Sequence, residues 1–244
     1  MKVKGRTAVV TGSALRVGRQ ICLELASRGA NIVVNYRSSA GAAAELVAKI
    51  SDLGVGVMAV QADISIADDV ARLSEEARSA FGRVDVLVNN ASIFPRTPIA
   101  TLTERDWDES MAVNLKAPFL CSLEFGRRMR EEGGGAIVNL ADWAAFRPYP
   151  DYLPYLIAKG GIVTMTKAFA RELAPSVRVN AVAPGPIAPP LDLSAEEVEE
   201  ARAGTLLGRW GSPDDIASAV AFLIEGSDFI TGAILPVDGG RLIA

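Results

Sequence analysis

Seven short, almost wholly apolar runs recur along the chain with amphipathic stretches between them, and this alternation limits the fold more than any other feature. The runs are Thr7–Thr11, Asn31–Asn35, Gly56–Gln61, Val84–Asn89, Ala136–Leu140, Val177–Val182 and Ala233–Val237. A strand with one wet face alternates apolar and polar residues, whereas strands covered on both faces read as continuous apolar runs. The stretches between them, Val17–Arg28, Gly41–Leu53, Ile66–Phe81, Glu104–Arg130, Tyr152–Ala174 and Pro213–Ile224, follow the period of an amphipathic helix. Such alternation predicts an α/β fold with a parallel sheet built by right-handed crossovers. No linker rich in Gly, Ser and Pro divides the chain, so a single domain over 1–244 is expected. One long irregular stretch, about 184–211, is rich in proline at its start (Pro184, Pro186, Pro189, Pro190) and holds a short acidic helical segment, Ser194–Glu200. Its place after a strand suits a substrate lid.

Composition removes several classes of chemistry. Half of the 244 residues are apolar and the net charge is -4, which fits a soluble globular protein and gives no support to nucleic-acid binding. No apolar run is long enough to span a membrane, and the first residues lack the pattern of a signal peptide, so a cytoplasmic location is the default expectation. There is no histidine. That excludes Ser-His-Asp triads, Cys-His pairs and His-containing zinc sites; no metal site is expected. A general acid must be Tyr, Lys, Asp or Glu. Cys22 and Cys121 lie in apolar helical segments and read as buried free thiols.

The first strand runs into Thr11-Gly12-Ser13-Ala14-Leu15-Arg16-Val17-Gly18-Arg19. Gly12 permits a tight turn, and Gly18 lets the following helix pack close to the sheet. The helix start, around Val17, offers unpaired N–H groups and a partial positive charge to a pyrophosphate. After the second strand comes Asn35-Tyr36-Arg37-Ser38-Ser39. NAD-binding chains place a carboxylate there for the ribose hydroxyls. Here the segment offers a cation and hydroxyls instead, which suit a 2′-phosphate, so NADPH/NADP+ is the expected cofactor.

This loop resembles the T-G-x-x-x-G-x-G loop of short-chain dehydrogenases/reductases, with Arg16 where the middle glycine usually stands. Further motifs of the same family span nearly the whole chain. Asp63 stands where the family has an acid that contacts adenine, though it could equally cap the next helix. Asn89-Asn90-Ala91-Ser92 resembles N-N-A-G, with Ser92 for glycine. Asn114 matches the helix asparagine that supports a proton-relay water. Pro184-Gly185 matches the turn beside the nicotinamide, without the threonine that often follows. Tyr155-Leu156-Ile157-Ala158-Lys159 is the Y-x-x-x-K pair. Residues four apart share a helix face. The ammonium of Lys159 is expected to lower the pKa of Tyr155 from about 10 toward working pH. The resemblance implies a Rossmann-type doubly wound sheet of seven strands in the order 3-2-1-4-5-6-7. It also implies a homotetramer with Glu104–Arg130 and Tyr152–Ala174 at one interface.

One departure narrows the expectation. Asp142 stands thirteen residues before the tyrosine, where the family has a serine. An ionised aspartate only accepts hydrogen bonds, while a protonated one can donate. Asp142, Arg16 and Asn89–Ser92 followed by Phe94, with Thr97-Pro98 beyond, together resemble the pteridine reductase subgroup. That resemblance implies hydride transfer from NADPH to a pterin. Phe94 would sandwich the pterin against the nicotinamide ring, Ser92 would touch substrate or phosphate, Asp142 would orient the pterin, and Tyr155, with Lys159, would supply a proton. Arg16 would sit beside the adenosine 2′-phosphate. The rival is a carbonyl reductase of the 3-oxoacyl thioester type, which the tail Ile230-Thr231-Gly232 and Val237-Asp238-Gly239-Gly240 resembles equally well. A non-catalytic NADP(H)-sensing protein is a third reading, set against it by the retention of Tyr155 and Lys159.

Overall fold

In the computed structural model, which describes residues 1–189 and 193–244, the seven expected strands form one parallel sheet. They are β1 (Thr7–Val10), β2 (Asn31–Tyr36), β3 (Val57–Gln61), β4 (Val86–Asn89), β5 (Gly135–Leu140), β6 (Val177–Pro184) and β7 (Ile234–Val237). Their order, β3-β2-β1-β4-β5-β6-β7, is the doubly wound order expected. β4 starts two residues later than the apolar run, and β6 runs two residues further, to Pro184, which pairs with Val237.

The continuous apolar runs have a direct physical cause, because successive side chains leave a strand on opposite faces. Val9, Val33, Leu87 and Ile137 face one core with Leu73, Phe125 and Met129. Val10, Val34, Val88 and Val138 face the other core with Ile21, Leu25, Leu46 and Ile216. The helices are α1 (Arg16–Ser27), α2 (Ala40–Ser51), α3 (Ala67–Phe81), α4 (Glu104–Met111), α5 (Ala117–Glu131), α6 (Leu153–Glu172), α7 (Ala195–Ala203) and α8 (Pro213–Glu225), and α1, α2, α3, α5 and α8 supply these core residues. Helices α1, α2 and α8 cover one face of the sheet, and α3, α5 and α6 lie on the other. No helix among the described residues is long and apolar enough to cross a membrane.

One expectation about the helices needs correction. Glu104–Arg130 is not a single α-helix, because a π-helical turn at Ala112–Lys116 separates α4 from α5. A π turn inserts one extra residue into the ladder and re-aims the side chains beside it. Here it carries Asn114 inward, where it is almost wholly buried.

The expected lid region, about 184–211, leaves β6 and contains α7 in place of the acidic segment Ser194–Glu200. A capping box between Ser194 and Glu197 starts α7. Pro190 and its two successors lie outside the described residues. Arg96, in the loop after β4, ties α7 down: it donates to Glu197 at 3.1 Å and to Asp151 at 3.2 Å. The indole N–H of Trp210 donates to the Val198 carbonyl at 3.1 Å.

Candidate active site

Hydrogen bonds fix the turn after β1 from three sides. The Thr11 hydroxyl accepts from the backbone N–H groups of Asn90 and Ala91, at 3.0 and 3.1 Å. The Asn90 amide donates back to the carbonyls of Thr11 and Gly12, at 2.9 and 3.1 Å. Asn35, buried at the end of β2, accepts from the Gly12 N–H at 3.1 Å. Gly12 has φ +57°, and a Cβ there would lie 2.8 Å from the Cα of Ala91. At Gly18 a Cβ would lie 2.5 Å from the Asn90 amide nitrogen and 2.7 Å from Ser13 Cα. Both positions need a residue without a side chain, as a backbone cradle for phosphate does. Thr11 and Asn35 were not read as site residues; a polar residue ending each of two buried strands was the available signal.

The cradle opens into a cleft of about 230 Å³ lined by Gly12, Tyr36, Arg37, Ser38, Asp63 and Ala91 among others. It lies beyond the carboxyl ends of β1 and β4, where the strand order reverses and α/β sheets bind dinucleotides. Arg37 and Ser38 are exposed at its outer end, and no carboxylate ends β2. Asp63 does two things there. It accepts from the backbone and hydroxyl of Ser65, at 3.0 and 2.7 Å, and stands 3.9 Å from Arg37. The donor set fits NADP(H).

Arg16 departs from expectation. It adopts φ +50°, the conformation for which the family's glycine is suited, so Arg occupies a strained position. Its guanidinium donates to the Ala188 carbonyl at 2.6 Å, bridging to the loop after β6. Arg16 is not among the residues that line the cleft, whereas Arg37 and Ser38 are. Across the same gap, Gly185 packs tightly, since a Cβ there would lie 2.5 Å from Asp238 Cα.

Asn114 also differs. Its carboxamide oxygen accepts from the Ser92 hydroxyl at 2.8 Å and the Ile93 N–H at 2.9 Å. Its nitrogen donates to the Ile93 carbonyl and to Ser110, both at 3.1 Å. The amide is spent on pinning the loop after β4, which leaves its side chain no capacity for a relay water. Ser92 lines the cleft while serving that pin.

The reacting pair comes together at the end of β5 and on α6. The Tyr155 hydroxyl donates to Asp142 at 2.6 Å. The second Asp142 oxygen accepts from the Ala144 N–H at 2.8 Å, which fixes its rotamer. Lys159 is buried, donates to the Leu140 carbonyl at 2.8 Å and lies 5.6 Å from the Tyr155 ring centre. The expected lowering of the Tyr155 pKa is reversed. Burial pushes it well above its usual value, and the charge of Asp142 adds to the effect. Burial also raises Asp142, against the opposing hydrogen bonds and the Lys159 charge. Both groups of this coupled pair therefore hold their protons more tightly than in water.

Burial lowers Lys159 to about 8 against the opposing charge of Asp142. An unfolded lysine keeps its proton up to about 10.5, so between these values the unfolded chain binds more protons and stability rises with pH. Compared with Lys159→Met, the wild type should gain about 3 kcal/mol between pH 8 and pH 10.5. Chemical denaturation of the two proteins across that range checks this; a constant difference would contradict it.

Phe94 stacks on Tyr152 with ring centres 4.2 Å apart and meets Tyr155 edge-on at 4.7 Å. One of its faces is thus covered by Tyr152, while the residue as a whole stays 38% exposed. Tyr152, Tyr149 and Trp143 extend this aromatic wall, and none was singled out from sequence.

With this geometry in hand, comparison with known proteins is informative. Residues 12–241 match the family model described as enoyl-(acyl carrier protein) reductase. A 3-oxoacyl-(acyl-carrier-protein) reductase of Staphylococcus aureus is 38% identical over 96% of this chain and 97% of its own. An NADPH-dependent aldehyde reductase-like protein of Arabidopsis thaliana is 37% identical over 98% of this chain and 95% of its own. The solved structure of a short-chain dehydrogenase/reductase from Serratia marcescens superposes with a TM-score of 0.93 at 32% identity, covering 99% of this chain and all of that one. The two curated relatives carry the names of a 3-oxoacyl-(acyl-carrier-protein) reductase and an aldehyde reductase-like protein, and neither that of a pteridine reductase.

Proposed function

The chain belongs to the short-chain dehydrogenase/reductase family and is an NADP(H)-dependent reductase, and on that premise we propose that its substrate is a flat, nitrogen-bearing ring of the pterin class. The observation that carries this reading is Asp142 in the serine's place, bonded to Tyr155 at 2.6 Å. A serine hydroxyl donates to a carbonyl oxygen that becomes an alkoxide. A carboxylate there would repel that charge, whereas it accepts well from ring N–H groups. The aromatic wall of Phe94 supports a flat substrate.

NADPH would supply the hydride. Gly12, Gly18, Asn90 and Ala91 would hold its pyrophosphate side, Arg37 and Ser38 its 2′-phosphate, and Pro184 and Gly185 the nicotinamide end. Tyr155 holds a proton at its hydroxyl oxygen, raised in affinity by burial, ready to pass to a ring nitrogen. Asp142 holds that proton in line and reprotonates Tyr155 when itself protonated. Lys159 keeps a positive charge near the ring, anchored on Leu140. Exposed Phe119, Leu153 and Ile157 on α5 and α6 support assembly of copies through those helices.

The second reading is reduction of a 3-oxoacyl thioester, and the curated relatives favour it. A protonated Asp142 could donate to such a carbonyl, since burial favours its neutral form. NADPH oxidation should be followed with dihydrobiopterin and an acetoacetyl thioester in parallel, using wild type and Asp142→Ser. Under the pterin reading, wild type reduces the pterin and Asp142→Ser loses at least about tenfold in kcat/KM. Turnover of the thioester alone, improved by serine, would establish the second reading instead.

A further inference from the structure

Asn35 interrupts the apolar run Ile32-Val33-Val34 near the end of β2, and it is 2% exposed. A buried primary amide is costly unless its N–H donors and its oxygen all find partners. Here they do. The oxygen accepts from the Gly12 N–H at 3.1 Å, and the nitrogen donates to the carbonyls of Val60 and Ala62, at 3.4 and 3.1 Å. The backbone adds a further tie, from the Ser13 N–H to the Asn35 carbonyl at 2.9 Å.

These partners belong to two separate segments that line the cleft. Gly12 and Ser13 form the phosphate turn after β1. Ala62 follows β3 and leads into Asp63, which stands 3.9 Å from Arg37. Asn35 lines the cleft itself, and among the described residues it is the one side chain that bonds to both segments. The ties from Thr11 and Asn90 run instead to the residues after β4. A dinucleotide behaves as two linked ligands: its affinity exceeds that of either half only where both subsites stand at the spacing its linkage spans.

We propose that Asn35 is a positioning residue for the cofactor. It fixes the spacing between the phosphate turn and the wall at Ala62 and Asp63, so that the two ends of NADP(H) bind as one ligand. This role requires NADP(H) in the cleft and is independent of the substrate reduced.

The probes are NADPH, which spans both ends, and adenosine 2′-monophosphate, which has no 5′-phosphate and reaches only the outer end. Each is titrated against wild type and Asn35→Ala, NADPH by its fluorescence and the monophosphate by competition. Asn35→Ala breaks every side-chain bond above and adds no charge to the cleft. It should weaken NADPH about tenfold and the monophosphate less than about twofold. A purely structural loss would scale both affinities together, so equal weakening, or none, overturns the role. Should Asn35→Ala fail to fold, wild type alone decides. Hydrogen exchange of the Gly12 and Ser13 amides should slow at least about threefold when the monophosphate is bound, although that ligand does not reach them. Unchanged exchange overturns the coupling. Failure of the monophosphate to displace NADPH from wild type overturns it too, because the wall at Ala62 and Asp63 would then not hold the adenosine. None of these readouts depends on which substrate is reduced, so the pterin reading stands or falls separately.

Discussion

Tyr155→Phe is expected to lower kcat for NADPH-dependent reduction by about 10³-fold, while the Kd for NADPH changes by less than about threefold. The hydroxyl is the group that meets Asp142 at 2.6 Å, and its burial and the carboxylate beside it keep it protonated well above neutral pH. Removing it takes away a stored proton and leaves the cofactor cradle, built from β1, β2 and β4, untouched. The ring itself stays, so the edge-on contact with Phe94 at 4.7 Å persists and the wall keeps its shape. The cost is therefore expected in kcat rather than in cofactor affinity. Steady-state kinetics and NADPH fluorescence titration on the same preparation separate the two. Parallel loss of NADPH binding would mean that Tyr155 holds the site together instead of serving it chemically.

Gly18→Ala is expected to weaken NADPH binding about 100-fold and to lower stability by about 3 kcal/mol. The added methyl would sit 2.5 Å from the Asn90 amide nitrogen and 2.7 Å from the backbone of Ser13. Backbone of a helix start cannot yield cheaply, so the Asn90 side chain must move. It would lose its bonds to the carbonyls of Thr11 and Gly12, which shape the phosphate loop. Denaturant unfolding and NADPH titration read the two effects. A variant with wild-type affinity would show that the turn tolerates displacement and that the cradle is not what binds the phosphates.

Much of the fold was legible because it rests on patterns that repeat. Strands buried on both faces must be apolar throughout, so β1 to β7 announced themselves within two residues at most ends. The order of the sheet came from the family resemblance. The pairing of Tyr155 with Lys159 was legible from helical spacing. Other features depend on tertiary direction, which spacing does not carry. The π turn at Ala112–Lys116 has no local signature, so Asn114 was placed on a helix but its grip on the 92–93 loop was not foreseen. Arg16 stands out in the sequence, yet neither its positive φ nor its bond to the Ala188 carbonyl follows from spacing. The direction of the Tyr155 shift is set by burial, with the charge and hydrogen bond of Asp142 adding to it, and helical spacing carries neither. Trp143, Tyr149 and Tyr152 lie in an irregular segment, where no period marks which side chains converge.

The interlock between the turn after β1 and the residues after β4 also has a consequence in time. Thr11 and Asn90 are separated by 79 positions, yet each hydrogen-bonds the other. During synthesis at roughly 5–20 residues per second, about ten seconds pass between their emergence. For that interval β1 can pair with β2 but has no β4, and its other edge stands open as a template for wrong partners. The cradle cannot receive nucleotide until that gap closes. The growing chain thus carries an open β1 edge until β4 emerges, and added NADPH protects it only after β4 has left the ribosome.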